Sequence, residues 1–172
     1  AVHEHNETQA AEELVQRMVQ GQRVPYVSDA GTPAISDPGA RLVAAARAAA
    51  RPVVPLPGAS SVTAALSVAG MASTDAAASG FVFAGFLPSK AGERAQAVAA
   101  LAQQTRAVVV LEAPHRIAAL AQALAVLGER GVTVGRELTK QFEEIAQLPA
   151  AGFGAWLAAD PNRCRGEFVI VL

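Results

Sequence analysis

The chain has 172 residues, of which 52% are apolar and 17% charged, and a formal net charge of −1. That length and composition exclude a disordered chain and allow one globular domain or two small ones. The near-zero charge excludes a global basic field, so any nucleic-acid contact must come from a local patch; residues 1–79 carry five Lys/Arg against seven Asp/Glu, and residues 80–172 carry nine against eight.

In chain order, Asn6 or Thr8 can cap a first helix whose apolar residues Ala11, Leu14, Val15, Met18 and Val19 recur at helical spacing until Gly21. A strand is predicted at about 24–28. It runs into SDAGTPAISDPG, residues 28–39, where two glycines, two prolines and two aspartates describe a rigid, tightly shaped loop. The alanine-rich stretch 39–50 reads as a helix and Val53-Val54-Pro55-Leu56 as the next strand, about the spacing of a right-handed parallel crossover. PGASS, residues 57–61, then opens a helix through Ala69. Two special loops thus follow two predicted parallel strands, and open α/β sheets bind ligands outside such carboxyl ends. Both can also be ordinary turns.

Residues 70–80, GMASTDAAASG, look like a linker. Beyond it the pattern predicts a strand over Phe81 to Phe86, a helix from Ala91 to Gln103, a strand over Ala107 to Leu111, a helix from Pro114 to Leu127 and a strand over Val132 to Arg136. Ile117, Leu120, Leu124 and Leu127 form one apolar stripe, which marks a core-facing helix. Phe142 to Ala146 can pair with Val132 to Arg136 as a hairpin, and GEFVIVL reads as a closing strand, making the second sheet mixed. One cysteine, Cys164, leaves no internal disulfide framework. No apolar run approaches the ~20 residues that span a bilayer and no signal-peptide pattern is seen, so the cytoplasm is the default location.

The motifs SDAGTPAISDPG, PLPGASS, FAGFLPSK, LEAPHR, RELTK and RGEF, in this order, closely resemble the bacterial small-subunit (16S) ribosomal RNA 2′-O-methyltransferase branch of the tetrapyrrole methylase superfamily. The resemblance covers essentially the whole chain. It implies an α/β fold of two domains: the remainder of a parallel-sheet N-terminal domain in residues 1–75, carrying cofactor loops, and a mixed-sheet C-terminal domain in residues 76–172. It further implies a homodimeric enzyme that uses S-adenosylmethionine to methylate the ribose of a cytidine in the decoding region of the small ribosomal subunit rRNA. Proteins of this branch normally begin with a strand and a glycine-containing loop upstream of HEHNE, here residues 3–7, and no match to that segment is seen; the pocket read from this chain is therefore expected to be incomplete.

By the same resemblance, Gly31, Thr32, Pro33 and Ile35 lie against the cofactor, Thr32 standing where the wider superfamily has an aspartate. Asp29 can recover that charge or simply cap a turn. Gly58, Ser60 and Ser61 match cofactor contacts, although a serine there also caps a helix. Ala113, Leu138 and Glu167 complete the pocket from the second domain.

A ribose hydroxyl is a poor nucleophile at neutral pH, so a general base is sought, and Glu112 and His115 are the candidates. Their plainer readings are an ion pair of Glu112 with Arg116 or Arg136, and a helix-start histidine. Lys90, Arg94, Arg116, Arg136 and Lys140, joined by His115, are expected to meet RNA phosphates, with solvated surface charge as the alternative. Little aromatic interleaving is visible, so base stacking is not evident. His3 and His5 with Glu4 and Glu7 lack a clear third ligand, and no metal is expected. The rival readings are a tetrapyrrole (precorrin-type) methyltransferase and a non-catalytic nucleotide-binding module.

Overall fold

The computed structural model describes residues 2–3, 5–29, 31–71 and 79–172. Two compact units are present, Ala1–Ser60 and Ser61–Leu172. This division precedes the helix after PGASS, whereas the sequence places a boundary near 75; most of the predicted linker, residues 72–78, lies outside the described residues.

The first unit is built on two helices, α1 (Glu7–Val19) and α2 (Ala40–Ala48). Asn6 occupies the N-cap of α1, but its side-chain oxygen accepts from the His3 backbone N–H, at 2.6 Å. The tie between the helices is Glu7, whose Oε1 accepts the backbone N–H groups of Gly39 (2.7 Å) and Arg41 (2.9 Å). A buried carboxylate from α1 thus supplies the acceptor that the first turn of α2 lacks in its own sequence. These bonds, with that from Gly39 foremost, hold the Glu7 carboxyl below its ordinary value of 4.5.

Stability from Glu7 is therefore present above that ordinary value and is lost as pH falls through the lowered one. Urea unfolding should show Glu7→Ala less stable than the parent at neutral pH, with the gap closing in acid. A gap independent of pH would remove Glu7 as the clasp.

The segments 24–28 and 53–56, predicted as strands, belong to no helix and no ladder among the described residues. A parallel strand needs hydrogen-bonded neighbours and burial on both faces. Val27, Val54 and Leu56 are instead exposed, at 82%, 74% and 87%, so apolar composition alone did not make these segments sheet.

The second unit opens with α3 (Ser61–Ala69) and continues β1 (Phe81–Phe86), α4 (Ala91–Ala102), β2 (Ala107–Glu112), α5 (Ile117–Leu124), β3 (Gly131–Arg136), β4 (Glu144–Pro149), α6 (Phe153–Ala158) and β5 (Phe168–Val171). The five strands among its described residues lie in the order β1-β2-β5-β3-β4, the first pair parallel and the rest antiparallel, which is the mixed sheet expected. One face carries Val108, Val110, Val132, Val134, Phe168 and Ile170 against α5 and α6. There the stripe Ile117, Leu120 and Leu124 is fully buried, each side chain contributing about 1.5–3 kcal/mol. The other face carries Val109, Val169 and Val171, over which α3 lays Val62, Ala65 and Ala69. The hairpin strand starts at Glu144, two residues later than its predicted start, and leaves Phe142 exposed in the connecting loop.

Candidate functional site

Register decides where the motifs of the second unit meet. Glu112 at the end of β2 pairs with Phe168 at the start of β5, Phe168 pairs with Arg136 at the end of β3, and Arg136 pairs with Glu144 at the start of β4. Phe86, the last residue of β1, pairs with Leu111. The loops carrying Lys90, then Ala113, His115 and Arg116, then Leu138 and Lys140, and finally Glu167 therefore all emerge at one end of the sheet.

Two clasps order that end. In the first, the buried Glu112 Oε1 accepts the Ala113 N–H (2.9 Å) and pairs with Arg116 Nε (3.1 Å), while Arg116 also donates to the Leu87 carbonyl. Arg94 donates to the Ser89 carbonyl at 2.9 Å and lies 3.5 Å from that of Pro88. Glu112 thus takes the ion-pair alternative, through Arg116. His115 is exposed in the turn that leads into α5.

In the second clasp, Glu137 and Glu167 join their loops by two bonds. The Glu137 N–H donates to the Glu167 carbonyl (2.9 Å), and the Glu167 N–H donates to Glu137 Oε1 (2.8 Å). Lys140 Nζ bridges both carboxylates, at 2.8 and 3.0 Å. The Lys140 hydrogen bond, followed by that from Glu167, holds the Glu137 carboxyl below its ordinary range; Glu137 and Glu167 in turn raise Lys140. Glu137 and Thr139 both have positive φ, 50° and 67°, a conformation that costs a non-glycine residue about 1–3 kcal/mol. Leu138 folds its side chain against Gly135. Sequence reasoning missed Glu137, although RELTK and RGEF held both halves of the clasp.

Arg136 is not at the surface. It is buried, with Nε 3.4 Å from Glu144 Oε2 and an N–H to the Arg165 carbonyl at 3.3 Å. Glu144 also takes Arg163 at 2.8 Å, and Arg163 stacks over Trp156. Lys90 is well exposed and pairs with Glu93, at 3.1 Å.

The first unit holds the other predicted residues. Loop 28–39 turns through positive φ at Gly31, Ala34, Ser36 and Gly39, and it is braced by the Tyr26 hydroxyl donating to the Pro38 carbonyl at 2.9 Å. A cavity of about 270 Å³ lies beside it, lined among others by His3, Tyr26, Ser28, Asp29 and Asp37. Asp29 faces this cavity; Gly31, Thr32, Ile35 and Gly58 are exposed, and Pro33 and Ser60 half-buried. A Cβ added at Gly31 or Gly58 would meet no protein atom within 4 Å. Ser61 begins α3 in the second unit. Glu7 is committed to α2, Glu4 lies outside the described residues, and no group of three metal-ligating side chains occurs among the described residues.

A family model described as Tetrapyrrole (Corrin/Porphyrin) Methylases matches residues 1–153. The chain is 45% identical over 174 aligned residues to Ribosomal RNA small subunit methyltransferase I of Vibrio cholerae, covering all of this chain and 59% of that protein. It spans about six-tenths of the length of the curated relatives it matches. Among solved structures it resembles the methyltransferase CobJ, with a TM-score of 0.64 at 19% identity over 96% of this chain and 70% of that one. A second is uroporphyrin-III C-methyltransferase from Thermus thermophilus complexed with S-adenosyl homocysteine, with a TM-score of 0.55 at 17% identity over 96% of this chain and 73% of that one. At these identities the structural likenesses establish the fold.

Proposed function

The chain belongs to the tetrapyrrole methylase family, and from that premise we propose that the protein is an S-adenosylmethionine-dependent methyltransferase that 2′-O-methylates the ribose of a cytidine in the decoding region of small-subunit rRNA. One observation carries the choice of acceptor: identity to proteins named for rRNA methylation is 42–46% across the chain, against 17–18% to the structural neighbours named for precorrin and uroporphyrin methylation.

The residues fit the cofactor. Open space above Gly31 and Gly58 leaves room for a ligand to approach the backbone, and Asp29 sets a carboxylate beside a cavity where a cationic donor is favoured. Thr32, Pro33, Ile35, Ser60 and Ser61, with Ala113, Leu138 and Glu167, are the further contacts proposed. When bound, the donor would supply an electrophilic methyl carbon on a sulfonium for in-line attack by the ribose oxygen, with S-adenosylhomocysteine as the leaving group. His115, the exposed candidate, takes the hydroxyl proton, and Glu112 acts through Arg116 to set the loop that carries it. Holding the acceptor at near-attack distance is worth up to about 7–11 kcal/mol. Lys90 and Arg94 are proposed to face phosphates, while Lys140 is held between the Glu137 and Glu167 carboxylates. Arg116 and Arg136 act by holding loops, since their guanidinium groups are already paired. We place the protein in the cytoplasm, as a homodimer; no helix among the described residues is long and apolar enough to cross a membrane.

Mass spectrometry of nuclease-digested rRNA from a deletion strain tests the assignment. The expected result is loss of one methyl group from a ribose, restored by the gene. An intact rRNA profile with a missing methylated tetrapyrrole would transfer the assignment to corrin or porphyrin chemistry.

A further inference from the structure

β1 is an edge strand, and its register contains an irregularity: Phe83 pairs with Val109, Gly85 with Val110 and Phe86 with Leu111. Ala84 and Gly85 together oppose Val110, a bulge made possible by Gly85 at φ 63°. A Cβ at Gly85 would meet nothing within 4 Å, so glycine is there for its backbone conformation and not for space.

The bulge re-aims one side chain. In unbroken alternation Phe86 would share a face with Val82 and Ala84, which pack on the main core. Instead it pairs with Leu111, on the same face as Phe81 and Phe83, whose partners are Ala107 and Val109. Three phenylalanines therefore stand in a row on one face of an edge strand, at 45%, 37% and 51% exposure. Each step along the row equals two positions of β2, or about 6.6 Å.

We propose that Phe81, Phe83 and Phe86 form a platform on which unpaired bases of the substrate RNA stack. The proposal rests on the rRNA reading above and names a binding surface for it. Rings spaced at about 6.6 Å are too far apart to follow the ~3.4 Å step of a stacked strand, but each can take one base of a splayed single strand. The surrounding charge matches such a partner. Lys90 ends the loop following Phe86, Arg94 in the first turn of α4 donates back to that loop at the Ser89 carbonyl, and Arg106 precedes Ala107, the partner of Phe81, so cations stand at both ends of the row. A second copy docking through the same strip would set these cations against their equivalents. The row is aromatic throughout, which suits bases because every base offers a π face.

The test is anisotropy titration of a short, unstructured, labelled oligoribonucleotide onto the chain, with S-adenosylhomocysteine binding measured by calorimetry in parallel. Phe83→Leu and Phe86→Leu keep apolar area but lose the flat π face, and each should weaken RNA binding about tenfold while homocysteine-analogue affinity and thermal stability hold. Phe83→Trp should retain binding and show fluorescence quenched by RNA beyond the response of Trp156, a readout that survives even if a leucine variant folds poorly. Full RNA affinity in both leucine variants, or an unquenched Phe83→Trp, overturns the platform while leaving the methyltransferase reading intact. A strip that serves copy-to-copy contact would reveal itself if Phe83→Asp dissociated a dimer without changing RNA affinity, and this too overturns the proposal. A parent chain that binds the homocysteine analogue but no RNA would remove both the platform and the rRNA assignment.

Discussion

Glu112→Ala is expected to destabilise the second unit by about 3–5 kcal/mol, because it removes one member of a buried ion pair and leaves the Arg116 guanidinium without its counter-charge. The carboxylate also accepts the Ala113 N–H, so the strand end and the start of the next turn lose their anchor together. Since Arg116 reaches the Leu87 carbonyl, the disturbance passes to the loop that bears Lys90. Urea unfolding supplies the first readout. Glu112→Gln separates the two roles the sequence allowed: a general base would lose turnover with stability retained, whereas the positioning role predicts that stability and RNA affinity fall together. A loss below about 1 kcal/mol in Glu112→Ala would show that the pair is dispensable.

Gly166→Ala should cost about 2–4 kcal/mol, combining left-handed backbone strain at φ 85° with displacement of Glu137. The added Cβ would overlap the Glu137 side chain, with the carboxyl carbon only 2.5 Å away, so this side chain must leave. Its departure frees the Glu167 N–H and one arm of the Lys140 bridge. The loop containing Leu138 then keeps only the backbone bond from the Glu137 N–H to the Glu167 carbonyl, and S-adenosylhomocysteine affinity, measured by calorimetry, should fall with stability. Unchanged affinity in a destabilised but folded variant would place the clasp outside the cofactor site.

Much of the second unit was legible because its signals are local. Ile117, Leu120 and Leu124 repeat at helical spacing, and that spacing alone puts them on one face, which the structure buries completely. The strand-helix-strand unit from Phe81 to Glu112 was read the same way. The short helix α6 was not: FGAWLA has too few residues to show a period, and it is held by Phe153 and Leu157 packing into the main core. The segments 24–28 and 53–56 misled for the converse reason, since an apolar run meets the local requirement for a strand while a ladder depends on neighbours distant in sequence.

The sequence by itself determined which residue types stand at the strand ends, because motif order and element periodicity are properties of neighbouring positions. It also carried the family. Only the tertiary structure decided the state of the charges: Arg136 looked like a surface cation until folding set Glu144 and the Arg165 carbonyl around it, and Glu112 became a strut through Arg116 and Leu87. Only the pairing of β1 with β2 decided that Phe86 turns to the side of Phe81 and Phe83, since a bulge exists only relative to a partner strand. Burial, charge pairing and strand register are set by groups brought close through space, and a linear pattern does not contain those distances.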